Sequence, residues 1–294
     1  MTTEAKNTLV FTEWLAGELG KPDLVVLDCS LVLPGEPGDK KAGFAEAHIP
    51  GARLFDIDLF ADPDSTLPHM VPTPARFAKL AGDLGISNES RVVFYDQAHG
   101  LRAAARGWWL MRLMGHEKAF VLDGGLPKWK KEGRPTEAGE AAPATAATFV
   151  PDFRADRLRG IGDIKRIVRQ GGGEALILDA RAAGRFQGSA PEPRPGLVAG
   201  HIPGSANIPF TELLAADGTM LPPDQLLARF EKAGVEREQP VILSCGSGVT
   251  ATVLALGLVQ AGLPEGSVYD GSWTEWGLRP ETPKVTADAA KATA

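Results

Sequence analysis

The sequence predicts an α/β protein of two tandem, homologous domains, each a mainly parallel sheet with helices on both faces. Three observations carry that expectation. The chain of 294 residues is too long for one ordinary compact unit and suits two of about 140. Short β-like apolar runs alternate with amphipathic ones, as expected of parallel strands joined by crossover helices. Above all, the same landmarks are written twice, in one order and at nearly constant spacing.

The repeat can be followed from the N-terminus. LVVLDCS (24–30) is echoed by LILDARA (176–182), each an apolar run that reaches an aspartate. AHIPGA (47–52) returns as GHIPGSA (200–206), RVVFYD (91–96) as PVILSC (240–245), and VLDGGLPKW (121–129) as VYDGSWTEW (268–276). The offset is 151 residues from Asp28 to Asp179, 153 from His48 to His201, 149 from Asp96 to Cys245 and 147 from Asp123 to Asp270. In the second half, strands are expected at 175–179, 206–209, 240–244 and 267–269, and helices at 161–170, 222–233 and 249–262. Pro222-Pro223, like Thr73-Pro74 at the matching point of the first half, suits a first helical turn, where proline's missing N–H costs nothing. The expected domains are 8–135 and 154–283, joined by a linker at 136–153 and followed by a frayed tail at 284–294. The stretch TEAGEAAPATAATFVP (136–151) has no helical or strand period and reads as chain laid along the surface.

Composition excludes several classes. A net charge of −6 leaves no electrostatic footprint for nucleic acid. No stretch approaches the roughly 20 apolar residues of a membrane span. The opening MTTEAKNTLVFTEW has no basic region followed by an apolar core, so no secretory signal is expected. Cys29 and Cys245 are the two cysteines, too few for a disulfide scaffold or a thiolate metal cluster. They fit a reducing cytosol, and a cytoplasmic location is expected.

Chemistry points to PVILSCGSGVTATVLALGL (240–258), where a strand delivers Cys245 into a glycine-spaced turn before a helix. Sites in parallel sheets lie beyond the carboxyl ends of strands. Gly246 and Gly248 permit backbone angles and approaches that a Cβ forbids. Inward N–H groups and the helix dipole favour the thiolate, the reactive form of cysteine. The plain alternative is a lone cysteine filling a turn. At the matching position of the first half stands Asp96, without a glycine-spaced loop, which suggests one working and one supporting domain.

With AHIPGA/GHIPGSA, CGSGVTA and DGSWTEW, the chain resembles the tandem rhodanese-domain sulfurtransferases over roughly residues 8–283. That family's two-domain form has an inactive first domain, with aspartate at the cysteine position, and a catalytic second one. The loop C-G-S-G-V-T resembles the 3-mercaptopyruvate branch, whereas thiosulfate-using members carry Arg and Lys after the cysteine. Charge gives the split a reason: thiosulfate is a dianion whose sulfonate lies next to the moving sulfur, while mercaptopyruvate keeps its carboxylate several bonds away. Residues 246–250, which include Gly246, Gly248, Val249 and Thr250 of the expected substrate cradle, carry no cation. By resemblance Arg185 and Arg194 bind the donor's carboxylate and keto group, a task suited to arginine's planar fork. On the residues alone these two would read as a solvated loop face, and Arg181 as part of a structural ion pair. The resemblance also maps Asp58 in FDID (55–58) and His69 in LPHM (67–70) across the domain interface, with Ser247 completing a Ser-His-Asp relay. His48 and His201 occur in both halves and read as structural. Arg102 departs from the family, which commonly has an aromatic residue there and a proline at Ala104. If Arg102 faces the cleft, its cation could loosen the preference against thiosulfate.

The resemblance thus implies sulfur transfer from 3-mercaptopyruvate through a Cys245 persulfide to a thiol acceptor such as thioredoxin, or to cyanide, with pyruvate released. Ping-pong kinetics follow, and loop amides cradle the sulfur's charge. No metal or organic cofactor, nucleic acid or membrane is called for, and a monomer or weak dimer is expected. Thiosulfate:cyanide sulfurtransferase is the main alternative, and a non-catalytic rhodanese-domain binding protein another. Cys-dependent phosphatases and arsenate reductases share the architecture but need an arginine six residues after the cysteine, where this chain has Ala251. Cys29 follows a buried-looking strand and reads as inert packing.

Overall fold

A computed structural model describes residues 8–32, 35–98 and 101–286 of the chain. The first domain runs β1 (Leu9–Val10), α1 (Thr12–Glu18), β2 (Leu24–Asp28), α2 (Lys40–Glu46), β3 (Arg53–Leu54), α3 (Ile57–Phe60), α4 (Pro74–Asp83), β4 (Arg91–Tyr95), α5 (Arg102–Leu113), β5 (Ala119–Leu122) and α6 (Gly125–Lys131). The second runs β6 (Leu158–Arg159), α7 (Ile161–Arg169), β7 (Leu176–Asp179), α8 (Ala183–Gln187), β8 (Ala206–Asn207), α9 (Pro223–Lys232), β9 (Val241–Ser244), α10 (Ala251–Gln260), β10 (Ser267–Tyr269) and α11 (Ser272–Leu278). The sheets have the orders β1-β5-β4-β2-β3 and β6-β10-β9-β7-β8, one topology built twice. Every pair among these strands is parallel. Asp28 lies opposite Tyr95 and Asp179 opposite Ser244, so Asp96 and Cys245 leave their sheets at equivalent points.

Local chemistry accounts for the elements. Thr73 caps α4 by accepting the Arg76 N–H, with Pro74 in the first turn, and Pro223 opens α9 in the same way. The helix α10 is apolar all round, and such a helix has to be buried. It packs on its own sheet and, across the domain boundary, on α5, which is buried along nearly its whole length. One core cluster therefore runs through both domains. The short elements β6, α8 and α11 were not expected, because two to seven residues are too few to show a period.

The linker lies on the first domain. Glu137 pairs with His48, the Ala147 N–H donates to the Gly82 carbonyl, and Val150 exchanges two hydrogen bonds with the Asn88 side chain. The expected tail at 284–294 needs a correction at its start. Val285 and His201 exchange both backbone hydrogen bonds, which ties this segment to the second domain; residues 287–294 lie outside the described residues. Among the described residues no helix is long and apolar enough to cross a membrane.

The domains also dock by a reciprocal exchange. The Val71 N–H donates to Asp270 at 2.6 Å, and the Met220 N–H donates to Asp123 at 2.9 Å. The repeats differ in the countercharge. Fully buried Arg106 pairs with Asp270 at 2.8 Å, whereas Ala255 stands at its equivalent position 149 residues on. Asp123 has no ion pair among the described residues, and burial pushes its carboxyl up to about 6.

Candidate active site

A cleft of about 320 Å³ opens beyond the carboxyl end of β9. Cys245, Gly246, Ser247, Val249, Thr250, Arg185 and Arg194 line it from the second domain, and Glu36 reaches it from the first. Cys245 is 2% exposed, at the floor. Its N–H donates to Ser272 Oγ at 3.1 Å, and its carbonyl accepts from the Trp273 N–H at 2.9 Å. Gly248 has φ 77°, and a Cβ there would meet the Asp270 carbonyl oxygen at 2.8 Å, so the turn requires glycine. Gly248 is not among the residues that line the cleft, and its carbonyl accepts from Arg106 at 3.3 Å. At Gly246 a Cβ would stand 3.2 Å from Arg185 Nη2, so the missing side chain lets the guanidinium come down onto the loop.

The structure brings Ser247, His69 and Asp58 together across the domain interface. Ser247 Oγ is 3.0 Å from His69 Nδ1, and His69 Nε2 is 3.3 Å from Asp58 Oδ1. With the Nε2 hydrogen donated to Asp58, Nδ1 is left to accept from the Ser247 hydroxyl. The His69 hydrogen bond holds the Asp58 carboxyl well below the usual carboxylate range, and Lys40 adds to this. Lys40, which sequence reading missed, extends the chain of contacts, with Nζ 2.7 Å from Asp58 and 2.5 Å from Asp56. Nothing local to GDKKAG marks it.

The three arginines of the second domain have distinct settings. Arg181 is buried, pairs with Asp179 at 2.6 Å and with Glu192 at 2.7 Å, and lies 4.4 Å over the Trp273 ring. Arg185 shares that same Glu192 carboxylate at 2.5 Å. The Arg194 side chain makes no hydrogen bond or ion pair with the described residues, and burial lowers its pKa. The uncompensated cation of the cleft is therefore Arg194. Glu192, also missed, is a buried acid whose meaning appears only beside its two arginines.

Arg102 does not face this cleft. Both of its terminal nitrogens bind the Glu36 carboxylate, at 2.6 and 2.8 Å, in a separate cavity of about 250 Å³ beside Asp96. The suggested extra cation is thus neutralised before it reaches the donor site. Asp96 Oδ2 accepts from the Ala103 and Ala104 N–H groups at the start of α5, and burial raises its carboxyl to about 6. His48 and His201 do the same job in each repeat, stacked on Phe44 and Phe186 with Nδ1 at that residue's carbonyl oxygen. Cys29 is buried, and burial pushes its thiol up, away from reactivity.

A parallel α/β repeat with a cysteine loop in one half and a buried aspartate at the same point of the other defines a two-domain enzyme of cysteine chemistry. The rhodanese-like domain family matches residues 11–132 and 165–279, and the chain belongs to that family. It is 40% identical over 284 residues to the 3-mercaptopyruvate sulfurtransferase of Rattus norvegicus, covering 95% of each chain. It is equally 40% identical, over 277 residues and 92% of each chain, to a thiosulfate sulfurtransferase of Cricetulus griseus. The crystal structure of SseA from Escherichia coli, a 3-mercaptopyruvate sulfotransferase, matches with a TM-score of 0.82 at 35% identity, covering 91% of this chain and 99% of that one.

Proposed function

We propose that the protein is a 3-mercaptopyruvate sulfurtransferase that carries sulfur on Cys245 and passes it to a thiol acceptor, such as thioredoxin, or to cyanide. One observation carries the choice of donor: the loop at 246–250 is free of cations, and the uncompensated charge sits on Arg194 at the cleft wall. A monoanionic donor with its carboxylate remote from sulfur fits that layout. A dianion with its sulfonate next to the sulfur does not.

Arg194 and Arg185 hold the carboxylate and keto oxygen, and the donor's sulfur lies over Cys245. The Cys245 thiolate attacks that sulfur. The S–S bond forms as the C–S bond breaks, and the released electron pair becomes the enolate of pyruvate. The sulfur keeps its hydrogen, giving a Cys245 persulfide. Ser247, re-protonated through His69, supplies the proton that turns the enolate into pyruvate. An acceptor thiolate then attacks the outer sulfur, and Cys245 leaves as thiolate. The chemistry needs no metal or organic cofactor. Two free cysteines suit a reducing compartment such as the cytoplasm.

The thiosulfate reading has its own support in the Cricetulus griseus relative. The deciding experiment compares pyruvate and sulfide release from 3-mercaptopyruvate plus a dithiol with thiocyanate formation from thiosulfate plus cyanide. Faster turnover of 3-mercaptopyruvate is expected. Equal or better turnover of thiosulfate overturns the donor assignment, and full activity in Cys245→Ser overturns the mechanism.

A further inference from the structure

The two repeats form an internal control for what a working cysteine loop needs. Asp123-Gly124-Gly125-Leu126 in the first corresponds to Asp270-Gly271-Ser272-Trp273 in the second. Gly125 has φ 55° and Ser272 has φ 48°, both in the left-handed region. A serine there bears a steric penalty that its counterpart avoids by having no Cβ, and such an outlier points to a use. The Cβ carries an oxygen to the cysteine. Fully buried Ser272 accepts the Cys245 N–H at 3.1 Å and donates its own hydrogen to the Tyr269 carbonyl at 2.8 Å.

A second difference lies two residues on. The Thr274 N–H and hydroxyl both donate to the Gly246 carbonyl, at 2.8 and 2.6 Å. The counterpart of Thr274 is Pro127, which has neither group. Both repeats keep the bond between these differences: Trp273 N–H to the Cys245 carbonyl at 2.9 Å, and Leu126 N–H to the Asp96 carbonyl at 3.0 Å. The half that keeps the thiol thus holds the backbone of its loop with side-chain contacts that these two positions in the other half cannot make.

We infer that Ser272 and Thr274 are positioning residues that clamp the Cys245–Gly246 backbone and so fix the thiol in the cleft. A loop with two glycines in four residues has much backbone freedom to lose, and small displacements of a reacting atom are costly in rate. The inference rests on Cys245 as the reacting residue. The donor's identity does not enter.

Ser272→Gly tests it, because it installs the first repeat's residue, relieves the backbone and removes the hydroxyl with its bonds to the Cys245 N–H and the Tyr269 carbonyl. The thermal midpoint should stay level or rise. The turnover number for 3-mercaptopyruvate should fall roughly 10- to 100-fold with KM held within about twofold, and alkylation of Cys245 by iodoacetamide should slow in parallel. Thr274→Val should act in the same direction, and Thr274→Ser, which keeps the hydroxyl, should restore most of the rate. Wild-type turnover and alkylation in both Ser272→Gly and Thr274→Val would overturn the clamp. A wrong donor assignment shows differently, as a wild-type enzyme that prefers another donor while the alkylation difference persists.

Discussion

His69 and Gly218 hold the same place in the two repeats, two residues before the amides that dock each domain on the other, and both have left-handed backbone, φ 61° and 83°. Only one of them is a residue that tolerates this angle freely. The imidazole kept at that cost reaches Ser247 at 3.0 Å, and the backbone carbonyl of His69 accepts from Arg106 at 2.7 Å.

His69→Gly should therefore separate stability from function. Unfolding should show an unchanged or higher midpoint, since the strained angle is relieved. Turnover should fall by about 100-fold, the usual worth of a proton-transfer group. A variant that melts earlier yet works normally would make His69 a structural residue.

Arg194 carries the free positive charge of the cleft, so Arg194→Met should mainly affect binding of the donor. KM for 3-mercaptopyruvate is expected to rise roughly 10- to 100-fold, the worth of a charged hydrogen bond. Steady-state kinetics over a wide donor range will check this; a fall in turnover alone, with KM untouched, would contradict it. Arg102→Ala should leave the donor preference unmoved, because Glu36 already neutralises that side chain.

Arg106 binds Asp270, the His69 carbonyl and the Gly248 carbonyl from a site with no exposure to solvent. Arg106→Met would leave Asp270 buried without its countercharge, a loss of about 3–5 kcal/mol in unfolding free energy. Lysine should not rescue it, because one ammonium cannot reproduce the forked contacts. Denaturant titration of the two variants gives the answer directly.

Asp96 gives a pH signature. Burial raises its carboxyl from 3.8 to about 6 in the folded protein. The stability contributed by the protonated form is fully present below the unfolded value and is lost as pH rises through about 6. The penalty at neutral pH reaches roughly 3 kcal/mol at most, taking 1.36 kcal/mol per unit. Asp96→Asn should raise stability at pH 7.5 and flatten the change between pH 4 and 6.5, with Asp123 and Asp28, whose carboxyls burial also raises, contributing to the slope that remains. Melting curves across that range, with no gain in the variant, would refute the assignment.

The sequence by itself determined the repeated α/β order, the strand ends from which Asp96 and Cys245 emerge, and the asymmetry between carboxylate and thiol. These are legible because strand runs, glycine turns and proline starts are local and recur at a near-constant offset. His69 and Asp58 were found only through family resemblance, since nothing around either marks it as reactive. Arg106, Glu192, Lys40 and Ser272 were not legible at all, and nothing in the sequence decided which cavity Arg102 faces. Some owe their roles to partners far along the chain, as with Arg106 and Asp270, 164 residues apart, or His69 and Ser247, 178 apart, while Glu192 meets Arg181 and Arg185 only 11 and 7 residues away, across a loop with no period to read. Which buried charge finds its countercharge, and which of two similar loops is held rigid, is decided only when the domains dock and exclude water from the interface. Periodicity records which face of an element is buried. It does not record which buried group on one domain will meet which on the other.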